Sequence, residues 1–383
     1  MRIVHTSDWH AGRQWKGVDR LPELERALDG LAAYVERHDV DLLLVTGDVF
    51  DTGSPPPRAE GVVFRFLKRV GATGARTVVI AGNHDHPTRL EAWGTLAELV
   101  GVTAVGTPRS RSRGGLLTIE TRSGERARVA ALPFAPTRLW VDAAGLVADP
   151  GAAALKYADG LARVLADLSA GFGADSVNLV CAHTHLDGAF IGGSERRVHL
   201  GDDWAATVQS LPATAHYVAL GHIHRPQELV APAPTAYAGS PLQLDFGEAG
   251  QDKSFVVIDA VAGAPARISR VPYEGGRPLI VVRGTVAEVS SRASALAHAW
   301  VKVVLPASES APDVARKVRQ AVPTAVAVDL ERAEPVAEPV VERAAQSPLA
   351  AYRAYVAHAH GRDPDPALCA LFDELYATAL EAP

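Results

Sequence analysis

The chain has 383 residues, 48% hydrophobic and 21% charged, with a net charge of −6. That length is more than one core usually serves, so two or three domains are expected, and the composition excludes a disordered chain. The acidic balance excludes a global basic field for nucleic acid, although bound cations reverse the sign locally. Two cysteines, Cys181 and Cys369, lie outside any C-x-x-C pair, which argues against a disulfide framework or a zinc–thiolate site. The N-terminal MRIVHTSDWH lacks an apolar stretch of signal-peptide length, and no run of about 18 apolar residues follows. A cytoplasmic protein with no membrane partner is expected.

Short apolar runs predict buried strands at 2–6, 41–47, 77–82, 127–132, 176–183 and 217–222. Apolar residues at three- to four-residue spacing predict helices over 21–39, 58–71, 90–101 and 157–171. Strand–helix alternation implies an α/β domain with a largely parallel sheet. Near Gly275 the texture changes. Strands are expected at 277–286, 298–306 and 325–332, with a helix at 311–322, as a small α/β unit. A Glu-, Pro- and Ala-rich linker over 333–348 then precedes two helical patterns split by GRDPDP. Leu349, Tyr352, Tyr355 and Val356 form one apolar stripe, and Leu368, Leu371, Phe372 and Leu375 the other. These shifts divide the chain into 1–274, 275–335 and 336–383.

Five predicted strands end in polar side chains. The ends are Asp8-Trp9-His10, Gly47-Asp48-Val49-Phe50-Asp51, Gly82-Asn83-His84-Asp85, His183-Thr184-His185 and His222-Ile223-His224. Ligands of open α/β sheets bind beyond the carboxyl ends of strands. Carboxylate, amide oxygen and imidazole without thiolate suit borderline divalent ions such as manganese, iron or zinc. Two such ions roughly 3.5–4 Å apart are the usual arrangement for phosphate-ester hydrolysis. Asp48 is the candidate bridging carboxylate.

The ordered motifs D-x-H, G-D-x-x-D, G-N-H-D, a histidine after a strand, and G-H-x-H resemble those of the calcineurin-like metallophosphoesterases. Within them the chain resembles the SbcD-type DNA-repair nucleases, through HTSDWHAGR (5–13), GDVFD (47–51), AGNHD (81–85), GSERR (193–197), LGHIHRPQ (220–227) and AGSPLQLDFGE (238–248). The resemblance implies a sandwich of β-sheets flanked by helices over 1–274, a small α/β capping domain over 275–335, and C-terminal helices that dock on an SbcC-like ATPase. It implies DNA as substrate, cut as an exonuclease (3′–5′) and endonuclease, and a homodimer within a heterotetramer. It also implies two metal ions, most simply manganese. Asp8, His10, Asp48 and His224 would hold one ion, and Asp48, Asn83, His183 and His222 the other. His84 would face the scissile phosphate, with Asp85 setting its tautomer or raising its pKa.

Asp51 stands where related archaeal and eukaryotic nucleases carry a histidine, so a supporting carboxylate is expected there. His183 is preferred over His185 as ligand because it directly follows the apolar strand. His5 reads as a packed residue, and Trp9 as either a base-stacking platform or loop packing. Arg13, Arg196, Arg197 and Arg225 are phosphate-contact candidates only under the nuclease reading, and Asp51 is grouped with them at the substrate. His86 and His199 also lie near motifs. Two other readings are a phosphoesterase for small nucleotides or phosphoproteins, and a non-catalytic scaffold. The scaffold predicts missing ligands, and none is missing.

Overall fold

The computed structural model describes residues 1–141, 150–191, 206–309, 312–331, 348–360 and 362–381. Met1–Glu331 and Arg332–Pro383 form two separate compact units. In chain order the first unit opens with β1 (Arg2–Thr6), a small ladder of β2 (Gln14–Trp15) and β3 (Val18–Asp19), and helix α1 (Leu21–Arg37). Next come β4 (Leu42–Thr46), α2 (Pro57–Gly71), β5 (Arg76–Ile80), α3 (Pro87–Ala97) and β6 (Val102–Val105). Strands β7 (Leu116–Glu120) and β8 (Arg126–Leu132) precede a helix, Pro150–Ser169. Strands β9 (Val177–His183), β10 (Tyr217–Gly221), β11 (Gln227–Leu229), β12 (Thr235–Tyr237), β13 (Ser254–Asp259) and β14 (Arg267–Pro272) follow.

These strands make two six-stranded sheets, β14-β13-β1-β4-β5-β6 and β11-β12-β10-β9-β8-β7. Period-2 alternation places Ile3, Leu42, Leu44, Val78 and Ile80 against Val129, Leu179, Cys181 and Ala219 of the second sheet. The opposite faces take Val4, Leu43, Val45 and Val79 under α1 and α2, and Val180, Val218 and Leu220 under Leu161, Leu165 and Leu168 of the helix Pro150–Ser169. Both faces of every central strand are covered, which is why they read as unbroken apolar runs.

The expected sandwich is present, but reading the alternation as one largely parallel sheet is corrected. Parallel cores β1-β4-β5-β6 and β8-β9-β10-β12 belong to different sheets. The chain changes sheet between β6 and β7 without a covering α-helix, and β13 returns antiparallel to β1. Periodicity describes each strand's faces and carries no information about which sheet it joins.

The small domain is a parallel sheet of β15 (Leu279–Arg283), β16 (Trp300–Leu305) and β17 (Ala325–Leu330). Its own core holds Val282, Val289, Leu296, Val301, Val303, Leu305 and Val318. The strand expected to run to 286 stops at Arg283. Thr285 caps a helix instead: its side chain accepts from Glu288 N, and Glu288 reaches back to the Thr285 N–H. The second unit holds two helices, Pro348–His360 and Pro366–Glu381, in which Tyr352 stacks on Phe372 at 4.5 Å and Cys369 is buried. The linker expected at 333–348 lies outside the described residues apart from Pro348. No described helix is long and apolar enough to cross a membrane.

Candidate metal centre

The five polar strand ends converge because the two sheets present their carboxyl ends to one place. The segment after β1 stays paired with the segment after β4: Asp8 N donates to Gly47 O at 3.0 Å and His10 N to Asp48 O at 2.9 Å. Asp8, His10, Asp48 and His222 all have positive φ, between 45° and 98°. Non-glycine residues reach that region at a cost of roughly 1–3 kcal/mol each, and such strain gathers at functional sites. Close approach of the strand ends also demands glycine at two positions. A Cβ on Gly82 would sit 2.1 Å from Asp48 Oδ1, and one on Gly221 would sit 2.0 Å from Thr46 O.

The side chains meet as three overlapping groups. Asp8, His10 and His224 bring one ligand atom each within 4.8 Å of one another, and so do Asp8, Asp48 and His183, and His10, Asp48 and His84. Asp48 Oδ2 lies between His10 Nε2 and His183 Nε2, 3.6 Å from each. Its Oδ1 accepts the His84 N–H at 2.8 Å. Asn83 Oδ1 is 3.0 Å from His183 Nε2 and 3.0 Å from His222 Nδ1. The His222 N–H donates to the Asp8 carboxylate at 3.1 Å. His185, the rival to His183, belongs to none of these clusters.

Hydrogen bonds behind the ligands fix which imidazole nitrogen faces inward. His183 Nδ1 donates to the Thr46 carbonyl at 2.7 Å. His10 Nδ1 donates to Asp51 Oδ1 and His224 Nδ1 to Glu248 Oε1, each at 3.2 Å. The Nε2 atoms of His10 and His224 therefore face each other as bare lone pairs only 3.1 Å apart. His183 Nε2 points its lone pair at the Asn83 oxygen in the same way. Lone pairs that converge like this repel unless a cation sits between them, so the donor set fits divalent metal ions. Carbonyl or carboxylate support of ligating histidines is the usual companion of such sites. Burial lowers the His10 pKa, and it drives His222 well below its ordinary value, keeping both rings available as neutral donors. Asp48 is held below its ordinary value, where burial is overcome by His183, His10 and His84.

Asp85 does not touch His84, and the expectation that it sets that ring's tautomer or pKa is corrected. Its carboxylate accepts the backbone N–H groups of Gly82, Phe50 and Val49 at 2.9–3.2 Å and ties the β4 and β5 loops together. Asp85 is buried, at 8% exposure, on these backbone partners. His84 Nδ1 instead donates to the Asp51 carbonyl oxygen at 2.8 Å. The Asp51 carboxylate, which holds His10 Nδ1, also pairs with Arg13 Nη1 at 3.3 Å. Arg225 is exposed, its guanidinium 5.5 Å from the Phe190 ring centre.

Trp9 is 2% exposed, donates to Thr6 Oγ1 and packs edge-on against Phe66, so it is loop packing and no stacking platform. His5 is buried between Tyr217 Oη and Thr46 Oγ1. His86 caps α3, where its Nδ1 accepts from Arg89 N. GSERR (193–197), with Arg196 and Arg197, and His199 lie outside the described residues. Sequence reasoning missed Thr46, Glu248 and Lys253 as supports. Glu248 stood inside the quoted LDFGE stretch, but its contact with His224 spans 24 positions and has no local signature.

The calcineurin-like phosphoesterase family pattern matches residues 1–226, and that of the type 5 capsule protein repressor C-terminal domain matches 276–358. The SbcD subunit of the SbcCD nuclease of Bacillus subtilis is 35% identical over 283 residues, 73% of this chain and 71% of that protein. The SbcD subunits of Rhodobacter capsulatus and Escherichia coli K12 are 33% and 29% identical. They align over 73% and 83% of this chain, and over 73% and 81% of their own lengths.

Proposed function

The chain belongs to the calcineurin-like phosphoesterase family, in the branch of the SbcD nuclease subunits, and from that membership we propose that it hydrolyses DNA phosphodiester bonds at a two-metal centre. Its reading is that of a nuclease subunit acting as 3′–5′ exonuclease and endonuclease on duplex ends and hairpins in double-strand-break repair and recombination. The observation that carries it is the convergence of bare imidazole, carboxylate and amide donors on one spot in a chain with these relatives.

In this reading Asp8, His10, Asp48 and His224 hold one ion, and Asp48, Asn83, His183 and His222 the other. Two divalent ions, with manganese as our choice, lower the pKa of water and neutralise phosphate charge when bound there. The remaining chemistry belongs to the chain. His84 keeps its Nδ1 on the Asp51 carbonyl, which leaves Nε2 as the ring atom that would serve the scissile phosphate. Arg13 and Arg225 are the candidates for phosphate contact among the described residues, and Arg13 shares Asp51.

The partners follow the same reading. An SbcC-like ATPase would take up the exposed apolar side chains Tyr355, Leu368, Leu371 and Leu375 of the C-terminal helices. A second copy would cover Phe64 of α2 together with Leu96 and Leu99 at the end of α3, the last two 73% and 87% exposed. Cleavage of linear duplex and hairpin DNA in manganese tests the proposal, with His84→Ala and a small phosphodiester as controls. DNA is expected to be cut by the wild type and about 10²–10⁴-fold more slowly by His84→Ala. Turnover of the small ester with DNA untouched, even beside a co-expressed ATPase, would replace the nuclease with another phosphoesterase.

A further inference from the structure

A chain of buried polar groups runs from the metal centre to the small domain. Behind His224, Glu248 is 0% exposed and holds His224 Nδ1 with one oxygen. Its other oxygen accepts from Lys253 Nζ at 2.5 Å and from Leu244 N at 3.1 Å. Lys253 also donates to the His224 carbonyl at 2.8 Å and to Gln251 Oε1 at 3.2 Å. Gln251 O accepts from Gln243 Nε2 at 2.8 Å, and Gln243 Oε1 accepts from Leu279 N, the first residue of β15, at 2.6 Å. A second branch starts at the Gln243 carbonyl, which accepts from Arg20. Arg20 pairs through two nitrogens with Glu23, and Glu23 accepts from Arg277 N at 2.7 Å and Trp300 Nε1 at 2.9 Å.

Arg20, Glu23, Gln243, Glu248 and Lys253 are all at most 8% exposed. A buried ion pair is a weak source of stability, since desolvation opposes the attraction. It is, however, an accurate positioning device, because every alternative geometry leaves a charge unpaired. Here two ion pairs and two glutamines link one metal ligand to β15 and β16, across the margin of a cleft of about 840 Å³ lined by Gln243, Lys253, Arg277 and Leu279.

We propose that Glu248 is a positioning residue for His224, and that the Glu248–Lys253–Gln251–Gln243 chain couples the placement of the small domain to the ion that His224 holds. The coupling is reciprocal: metal at that position steadies the small domain, and a substrate that moves the domain alters the ion's affinity. The inference rests on the two-metal reading above.

The test is calorimetric titration of the metal-stripped full chain with manganese chloride, beside hydrogen exchange of the 279–283 amides with and without manganese. Wild type is expected to bind two ions and to gain protection in 279–283 on binding. Glu248→Gln is expected to weaken one ion about 10–100-fold and leave the other unchanged, with Glu248→Asp restoring part of the loss. Gln243→Leu, which touches no ligand, is expected to weaken the same ion severalfold and to abolish the metal-dependent protection; it decides the matter if Glu248→Gln does not fold. Equal weakening of both ions in Glu248→Gln, or unchanged affinity and protection in Gln243→Leu, overturns the coupling while the metal centre stands. A wild type that binds no manganese overturns both.

Discussion

His10 shows how little of a ligand's behaviour lies in the ligand itself. Its Nε2 is bare only because Asp51 takes the proton on Nδ1. Asp51→Asn is therefore expected to weaken manganese about 10–100-fold in titration while the metal-free protein nearly keeps its melting temperature, because the Asp51 side chain is partly exposed. Unchanged affinity would remove Asp51 from the support of His10. His5 makes the complementary case. Burial pushes its pKa down to about 3, against about 6.5 for the unfolded chain, so the native ring stays neutral. Between those values the unfolded chain binds more protons, and stability falls as pH falls, by up to ~1.4 kcal/mol per pH unit. Above pH about 6.5 this contribution is constant. His5→Gln should lose about 1 kcal/mol at neutral pH through weaker hydrogen bonds to Tyr217 and Thr46. It should also show a shallower loss of urea midpoint between pH 6 and 4. Parallel pH profiles for the two proteins would mean that His5 ionises in the native state.

Strand ends are the unit in which the centre is built, and the glycines beside them set how closely those ends approach. Gly82→Ala is expected to abolish manganese binding and lower the thermal midpoint, since the new Cβ meets Asp48 Oδ1 and Asp48 N at 2.1 and 2.3 Å. Gly30→Ala, in open space on α1, is the matched control and should gain roughly 0.5–1 kcal/mol of helix stability. Normal metal binding by Gly82→Ala would show that the β4 and β5 loops yield more than their hydrogen bonds suggest. The strand ends were legible because each candidate ligand follows its own buried strand within a few residues: Asp8 and His10 after β1, Asn83 after β5. Asp85 was misread because its partners are backbone amides of Val49 and Phe50 on another strand, which no side-chain pattern announces.

For the assembled molecule, the apolar ridge of Phe64, Leu96 and Leu99 is exposed among the described residues. If a second copy covers this ridge as proposed, Leu99→Asp should shift the full chain from dimer to monomer in sedimentation while leaving manganese binding intact, since Leu99 is 87% exposed. Monomeric wild type at micromolar concentration would refute that interface. The 277–331 segment and the candidate metal centre share the buried network through Glu23, Gln243 and Glu248, which is the physical path for the proposed coupling.

Local chemistry decided what could be read in advance. Apolar runs, helical spacing and polar residues at strand ends depend on neighbours within a turn or a strand, and they pointed to the elements, the candidate donors and the family resemblance. Partition of the strands into two sheets, the facing lone pairs of His10 and His224, and the supports Thr46, Glu248 and Lys253 depend on residues dozens to hundreds of positions apart. They exist only once sheet closure has brought those residues within hydrogen-bonding distance, where burial makes each unpaired alternative costly.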